Sequence, residues 1–277
     1  MHCSTTTDHD GAVAGAFPSH GAPPAGVVLL AAGSGRRLSA ITRHTHKSLL
    51  PVAGKPALQY AIDEILARGV HDIVVVTGDK REAIERFVSD RYGARVSLTF
   101  NAHHASDTNI LSTQLGVLAL GRSEAGYMIV ETDLVMEPAA WEVVLRVGDG
   151  RESFWVTHGA YSQTLTGGAL RADQEDRVVE LVYAPRYEAK HDGWRKLVGV
   201  LYVGSDQVER DCELRQRGIA RTIAQYYMTP WVEHLALLPC RARSLGDMFA
   251  ASFNDLEGYR WASQRFEAIQ RLSEGSP

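Results

Sequence analysis

Residues 26–35 read GVVLLAAGSG, an unbroken apolar run that ends in a glycine turn. A run without alternating polar residues is typical of a strand buried on both faces of a parallel sheet. Arg36 and Arg37 follow the turn directly. Such a turn can hold phosphate, because its backbone N–H groups can face anionic oxygens. Taken alone, it also fits a plain strand-to-helix connection.

The first half of the chain alternates further apolar runs with amphipathic segments. This alternation of strands and helices is typical of a doubly wound α/β sheet. Strands are predicted at 26–32, 72–78, 96–101 and 126–133, and helices at 57–69, 80–93 and 109–121.

The second half is less regular and shows no internal repeat. Strands are predicted there at 153–161, 177–184 and 196–204, and helices at 206–235 and 256–274. We therefore predict a single α/β domain over residues 26–277, with a mostly parallel, Rossmann-like sheet and added elements that cover a pocket. Residues 1–25 are small, polar and rich in Pro and Gly, which predicts a disordered tail without a secretory signal.

Composition excludes several classes of protein. The net charge of −4 argues against a general nucleic-acid binder, which is usually basic. No apolar stretch approaches the roughly 20 residues that span a membrane. The three cysteines, Cys3, Cys212 and Cys240, form no closely spaced pair, which favours a reducing cytoplasm.

The glycine turn does not follow either of the two commonest phosphate-binding patterns. The P-loop lysine is absent, and Leu38 stands where the dinucleotide pattern requires its third glycine. Lys47 follows shortly after the turn, and a lysine there is a candidate for contact with a nucleotide. A solvated surface charge is the alternative for any single lysine.

The stretch LLAAGSGRRL (29–38), followed by THKSLLPVAGKPALQY (45–60), resembles the signature of the sugar-phosphate nucleotidyltransferases. The segment NAHHASDTNILST (101–113) resembles the branch that contains choline-phosphate and phosphonate cytidylyltransferases. Thr108 departs from that branch, because it replaces the first of two paired asparagines.

The resemblance implies a set of functional residues. It makes Arg36 and Lys47 catalytic, with Arg37 outside the site. The nucleotide-binding positions that it implies are Leu30, Ala31, Ala32, Gly33, Ser34, Gly35, Asn101 and Asn109. Candidates for acceptor contacts are Thr108, Ser112, Lys196 and Tyr226.

Asp133, in YMIVETDLVM (127–136), matches the strand-end aspartate that binds Mg²⁺ in this family. A hard carboxylate suits that ion. We assign the neighbouring Glu131 to the opposite side of the strand. The family's second, late acid maps onto Met228, and Glu233 and Asp255 are the candidates to replace it.

The function implied is Mg²⁺-dependent transfer of CMP from CTP to a small phosphonate or phosphocholine-like phosphomonoester, with release of pyrophosphate. The acceptor oxygen is already an anion, so no Ser-His-Asp arrangement is needed. Alternatives are a hexose-1-phosphate nucleotidyltransferase using UTP, GTP or dTTP, a glycosyltransferase of related fold, and an inactive nucleotide-binding regulator. Residues 26–136 would then form the nucleotide-binding half and residues 137–277 the acceptor-binding half. The oligomeric state stays open, a homodimer included.

Two weaker patterns remain. The histidines of HTH (44–46) could suggest a metal, but they lack a nearby cysteine or a helical partner, which favours ordinary loop histidines. Tyr226, Tyr227 and Trp231 could cage a quaternary ammonium group, or could simply pack a helix.

Overall fold

The computed structural model describes residues 21–274. The predicted tail therefore lies outside the described residues up to residue 20. Beyond that point the chain already contacts the body of the protein, because Pro24 is buried and the Ala22 carbonyl accepts a hydrogen bond from the Val147 N–H.

Strands and helices alternate along the described chain. The strands are β1 (Gly26–Ala31), β2 (Pro51–Val52), β3 (Lys55–Pro56), β4 (Ile73–Thr77), β5 (Ser97–Phe100), β6 (Tyr127–Glu131), β7 (Leu134–Met136), β8 (Ser153–Ala160), β9 (Gly167–Ala172), β10 (Val178–Ala184), β11 (Arg195–Val203), β12 (Cys240–Ser244) and β13 (Ala250–Ser252). The α-helices are α1 (Ala57–Ala67), α2 (Arg81–Tyr92), α3 (Ile110–Ala119), α4 (Pro138–Val144), α5 (Val208–Arg221), α6 (Thr229–Glu233) and α7 (Leu256–Glu274).

Most of the strands described here form one sheet. Its order is β10-β9-β11-β6-β1-β4-β5, with β8 paired to β11 and β12. The strands that the first half contributes to this sheet, β1, β4, β5 and β6, are all parallel, whereas β11 joins β6 antiparallel. The predicted α/β fold with a mostly parallel central sheet is confirmed.

The chain leaves β1 toward β4 and β5 and later returns to the other side of β1 as β6. In open α/β sheets, ligands bind outside the carboxyl ends of the strands at such a reversal. The glycine turn (residues 33–35) follows β1, and Asp133 follows β6. The topology therefore brings these two sequence features to one crevice.

Helix α3 packs on β1 and β4 at unusually short range. A Cβ atom on Gly116 would lie 2.3 Å from Val28 Cγ1 and 2.9 Å from Val76 Cγ2. Glycine at this position lets the helix backbone reach the sheet. The same helix begins at Ile110, at the edge of the sheet where the crevice lies.

The second half differs from the sequence prediction in several places. The stretch around Gly167 and Gly168 is strand β9, and the glycine serves packing, because a Cβ on Gly168 would lie 2.9 Å from Leu197 Cδ1. The predicted helix 206–235 is two helices, α5 and α6, the second starting near Pro230, which favours a first helical turn. Helix α4 and strands β12 and β13 were not predicted.

No helix in the range 21–274 is both long and apolar enough to cross a membrane.

We expect Gly116→Ala to lower the free energy of unfolding by about 1–3 kcal/mol, because the new methyl group overpacks the contact with Val28. Gly121→Ala is the matched control, since the nearest atom to a Cβ there is Asp72 Oδ2 at 3.6 Å. Urea denaturation of both variants measures the difference. Equal stability of the two would contradict the packing argument.

Candidate active site at the carboxyl ends of the central strands

The carbonyl groups around the glycine turn are held from the protein side. The Ala32 carbonyl accepts from the Asp79 N–H at 3.1 Å, and the Gly35 carbonyl accepts from the Leu38 N–H at 2.8 Å. The Gly33 carbonyl lies 2.7 Å from His46 Nε2. Gly35 adopts the left-handed conformation, with φ of 58°, which glycine accommodates without strain.

The N–H groups of the same turn lack hydrogen-bonding partners among the described residues. Within residues 21–274, the N–H groups of residues 33–36 have no acceptor. A trans peptide points its C=O and N–H in opposite directions, so carbonyls held inward direct N–H groups outward. The turn is exposed to solvent on that side. Successive free N–H groups of this kind form an anion-binding concavity.

Lys47 and Asp133 form an ion pair beside the turn. Lys47 Nζ lies 2.5 Å from Asp133 Oδ2, and the two side chains are only 18% and 4% exposed. Asp133 is fixed through its backbone, since its carbonyl accepts from the Phe253 N–H at 3.0 Å. The Lys47 side chain runs along the turn, with its Cβ 3.4 Å from the position of a Cβ on Gly35. The structure therefore brings together the glycine turn, the lysine and the aspartate that the sequence singled out.

The assignment of Glu131 to the opposite side of the strand from Asp133 is wrong. Residues two apart on a strand share a face. Burial raises the pKa of the Glu131 carboxyl, and the negative charge of Asp133 raises it further, whereas Lys47 and Lys196 oppose the shift. A Cβ on Gly199 would lie 2.9 Å from Glu131 Oε2, so this glycine leaves room for the carboxylate.

The Glu131 carboxyl group makes no hydrogen bond or ion pair to any of the residues described in the structure. The residue as a whole is only partly buried, whereas its carboxyl group lies in a buried setting. Glu131 is therefore a buried acid without a hydrogen-bonding partner among the described residues.

A lysine and two tyrosines lie near Glu131. Burial lowers the pKa of Lys196, against the opposing charges of Glu131 and Asp133, and its Nζ donates to the Leu197 carbonyl at 2.6 Å. The rings of Tyr183 and Tyr226 lie 4.2 Å apart between centroids.

Burial raises the pKa of Tyr183, and Glu131 adds to the rise, whereas the charge of Arg37 opposes it. Arg37 itself is exposed, and its expected position outside the site stays a prediction. Tyr227 is a core residue instead, stacked on Trp155 at 5.8 Å.

The predicted nucleotide residue Asn101 and acceptor residue Ser112 are committed to a buried network. Asn101 Nδ2 donates to Asp107 Oδ2 at 2.8 Å and to Ser112 Oγ at 2.9 Å, and its Oδ1 accepts from the His103 N–H at 2.8 Å. Ser112 Oγ donates to Asp107 Oδ2 at 2.7 Å. Both side chains shape the loop 101–112.

Asn109 and Thr108 hold the far wall of the pocket. Asn109 Oδ1 accepts from the Tyr227 N–H at 2.7 Å, and the Thr108 N–H donates to the Ile223 carbonyl at 3.1 Å. These bonds attach the connection between α5 and α6, which carries Tyr226, to the start of α3.

The two candidates for a late metal-binding acid have other partners. Glu233 pairs with Arg221 at 2.5 Å, and Asp255 accepts from the Gly258 N–H at 2.8 Å at the start of α7. No cluster of three His, Cys, Asp or Glu side chains that could hold a metal occurs within residues 21–274. Asp133 itself fits Mg²⁺, which commonly takes one or two carboxylates together with phosphate oxygens and water.

His46, expected from the sequence to be an ordinary loop histidine, is fully buried between the glycine turn and the short 3-10 turn Lys47–Leu49. Burial lowers the pKa of its ring to about 4; the Gly33 hydrogen bond opposes this and Lys47 adds to it. The ring is therefore neutral at physiological pH. The only sequence signal for a role of His46 beside the glycine turn was its position directly before Lys47.

The family follows from a comparison with known proteins. Residues 26–192 match the family model described as Nucleotidyl transferase. The chain belongs to the nucleotidyl transferase family.

Two known proteins are similar to this chain in sequence over part of its length. It is 29% identical over 202 residues to a CMP-5'-(3-aminopropyl)phosphonate synthase of Streptomyces rubellomurinus, an alignment that covers 73% of this chain and 31% of the relative. It is 35% identical over 88 residues to a choline-phosphate cytidylyltransferase of Streptococcus pneumoniae, covering 32% of this chain and 37% of the relative. The chain thus spans about a third of the length of these relatives. The resemblance stated from the sequence is confirmed.

Solved structures of the nucleotidyl transferase fold match most of the chain. A CTP:phosphocholine cytidylyltransferase from Streptococcus pneumoniae gives a TM-score of 0.74 at 19% identity, covering 88% of this chain and 99% of the other. An inositol-1-phosphate CTP transferase from T. maritima gives 0.71 at 13% identity, covering 88% and 97%. These likenesses establish the fold.

The buried ring of His46 makes stability depend on pH. Unfolded His46 takes up a proton below its ordinary pKa of 6.5, whereas the folded ring does so only near 4, so the unfolded state binds more protons between these values. The free energy of unfolding therefore falls as pH falls through this window, by up to about 3 kcal/mol. We expect His46→Gln to lose this part of the pH dependence in urea denaturation.

His44→Gln is the control, because His44 is exposed and should retain the wild-type dependence. An unchanged slope in His46→Gln would contradict the assignment of the titration to His46.

Proposed function

We propose that this nucleotidyl transferase family member transfers CMP from CTP to a small phosphonate or phosphocholine-like phosphomonoester, with Mg²⁺ as cofactor and pyrophosphate as product. The observation that carries the proposal is the exposed glycine turn, whose free N–H groups stand beside the Lys47–Asp133 pair. The choice of cytidylyl transfer rests on the names of the relatives.

The glycine turn would bind the triphosphate through its N–H groups. Arg36 directly follows the turn and is exposed, so its guanidinium can swing onto the departing pyrophosphate. The acceptor oxygen carries negative charge at neutral pH and can attack the α-phosphorus without a general base. The main obstacle is repulsion between two anions, so positioning and charge neutralisation supply the catalysis.

Lys47 would exchange its ion-pair partner when a triphosphate binds. Its ammonium group rests on Asp133, and a triphosphate in the glycine turn would offer it phosphate oxygens instead. Asp133, freed from Lys47, is the residue that would hold Mg²⁺, which when bound reduces the negative charge at the phosphates. Lys47 would then contact the α-phosphate and the incoming acceptor oxygen.

The pocket beyond Asp133 suits an acceptor with charges of both signs. Lys196 can meet the acceptor phosphonate or phosphate. The Glu131 carboxyl group, which has no hydrogen-bonding partner among the described residues, and the paired rings of Tyr183 and Tyr226 suit a cation, because aromatic faces and carboxyl oxygens both attract ammonium groups. The names of two relatives contain aminopropyl and choline, both ammonium-bearing groups at neutral pH.

Pyrophosphate release measures the activity directly. With Mg²⁺ and 3-aminopropylphosphonate or phosphocholine, we expect turnover with CTP well above that with UTP, GTP or dTTP, and loss of turnover with EDTA. Lys47→Ala should reduce kcat about 10²–10³-fold, the usual effect of losing one group that stabilises developing charge. Lys55→Ala, at an exposed lysine, is the matched control and should keep wild-type rates.

Activity confined to UTP or GTP with a hexose 1-phosphate would overturn the cytidylyl assignment. Absence of pyrophosphate release with every pair of substrates would favour a nucleotide-binding regulator. Because Lys47→Ala leaves the buried Asp133 without its partner, thermal unfolding must accompany the kinetics.

Glu131→Gln tests the cationic end of the acceptor. We expect the KM for 3-aminopropylphosphonate to rise about 10- to 100-fold, the worth of a charged hydrogen bond, whereas the KM for propylphosphonate should change little. Glu152→Gln is the control, because Glu152 is an exposed acid paired with Arg241. An equal rise for both acceptors, or a changed Mg²⁺ requirement alone, would place Glu131 at the phosphates instead.

A further inference from the structure

We propose that His46 is a positioning residue for nucleotide binding: its imidazole sets the orientation of the Gly33–Ser34 peptide and joins the glycine turn to the backbone that carries Lys47. This inference rests on the proposed function, since it concerns the same triphosphate site. Nothing in the sequence pattern assigns His46 a role there.

The hydrogen bonds fix the tautomer of the ring. The Ser48 N–H points at His46 Nδ1 at 3.2 Å, and an amide N–H can only donate, so Nδ1 accepts. The ring proton is therefore on Nε2, which donates to the Gly33 carbonyl at 2.7 Å. Ser48 Oγ lies 2.8 Å from Nδ1 and can donate as well.

The surroundings keep the ring neutral. Burial lowers its pKa to about 4, and the nearby ammonium groups of Lys47 and Lys80 act in the same direction, against Asp79. A second proton on Nδ1 would face the Ser48 N–H donor directly. The ring thus donates at one nitrogen and accepts at the other throughout the physiological pH range.

The bond to Gly33 determines where an N–H group points. In the trans Gly33–Ser34 peptide, the C=O and the Ser34 N–H point in opposite directions. His46 holds the carbonyl inward, so the Ser34 N–H faces the open side of the turn. Apart from its chain neighbours, no atom lies within 4 Å of a Cβ position on Gly33, so nothing packs against the turn at that point.

The second nitrogen connects this peptide to Lys47. His46 is the N-terminal cap of the 3-10 turn Lys47–Leu49, through the bond from the Ser48 N–H. One rigid ring therefore spans the glycine turn and the turn that starts at Lys47. It sets the spacing between an N–H donor and an ammonium group that would grip the same triphosphate.

Two substitutions distinguish the hydrogen bonds that the two ring nitrogens make. The amide nitrogen of His46→Gln can take the place of Nε2 and donate to the Gly33 carbonyl. The amide oxygen of His46→Asn can take the place of Nδ1 and cap the Ser48 N–H, as asparagine does at helix starts. The two variants therefore keep opposite bonds.

We expect a crossed result from CTP titration calorimetry, steady-state kinetics and thermal unfolding. His46→Asn should retain more of the wild-type melting temperature but weaken CTP binding and raise the KM for CTP about 10-fold, toward the upper end of what one neutral hydrogen bond is worth. His46→Gln should melt lower but stay within about threefold of wild type in CTP affinity, because it keeps the hydrogen bond to the Gly33 carbonyl. His44→Asn and His44→Gln, at an exposed position, serve as controls and should match wild type.

Loss of CTP affinity that merely follows loss of stability across the two variants would make His46 structural and overturn the inference, as would wild-type affinity in both. If the wild-type protein neither binds CTP nor releases pyrophosphate, the proposed function fails and takes this inference with it. A wild type that binds CTP, with both variants alike, overturns the inference alone.

Discussion

The complete burial of β1 is the constraint on which the site depends. The strand is parallel to β4 on one side and to β6 on the other, and side chains of both faces lie in apolar cores. Its register therefore cannot slip without moving apolar side chains into the wrong layer. The glycine turn begins where this strand ends, so its position relative to Asp133 is inherited from the sheet.

The ion pair of Lys47 and Asp133 provides the electrostatic balance of the same site. An isolated carboxylate as buried as Asp133 would be costly, and the lysine compensates it. The chain brings the two residues together from 86 positions apart. The site therefore holds its own charges in balance before any ligand arrives.

The parallel half of the fold was predictable from the sequence, because buried parallel strands read as continuous apolar runs. Strand β9 was not, because Gly168 resembles a turn residue, whereas its actual role is to admit Leu197 at close range. The glycine turn, Lys47 and Asp133 were found from their local pattern. Glu131 was misplaced through an error about strand geometry, and His46 was missed because its importance lies in burial and in bonds to Gly33 and Ser48 that only the folded chain creates.

The connection between α5 and α6, which carries Tyr226, is attached through backbone hydrogen bonds. The connection between α5 and α6 is tied to the start of α3 by its own backbone groups, at Ile223, Gln225 and Tyr227. Such bonds do not depend on which side chains the connection carries. Replacement of the residue at position 226 can therefore alter the shape and polarity of the surface beside Tyr183 while the attachment persists, which makes this segment a place where side chains can diverge during evolution at little risk to the sheet.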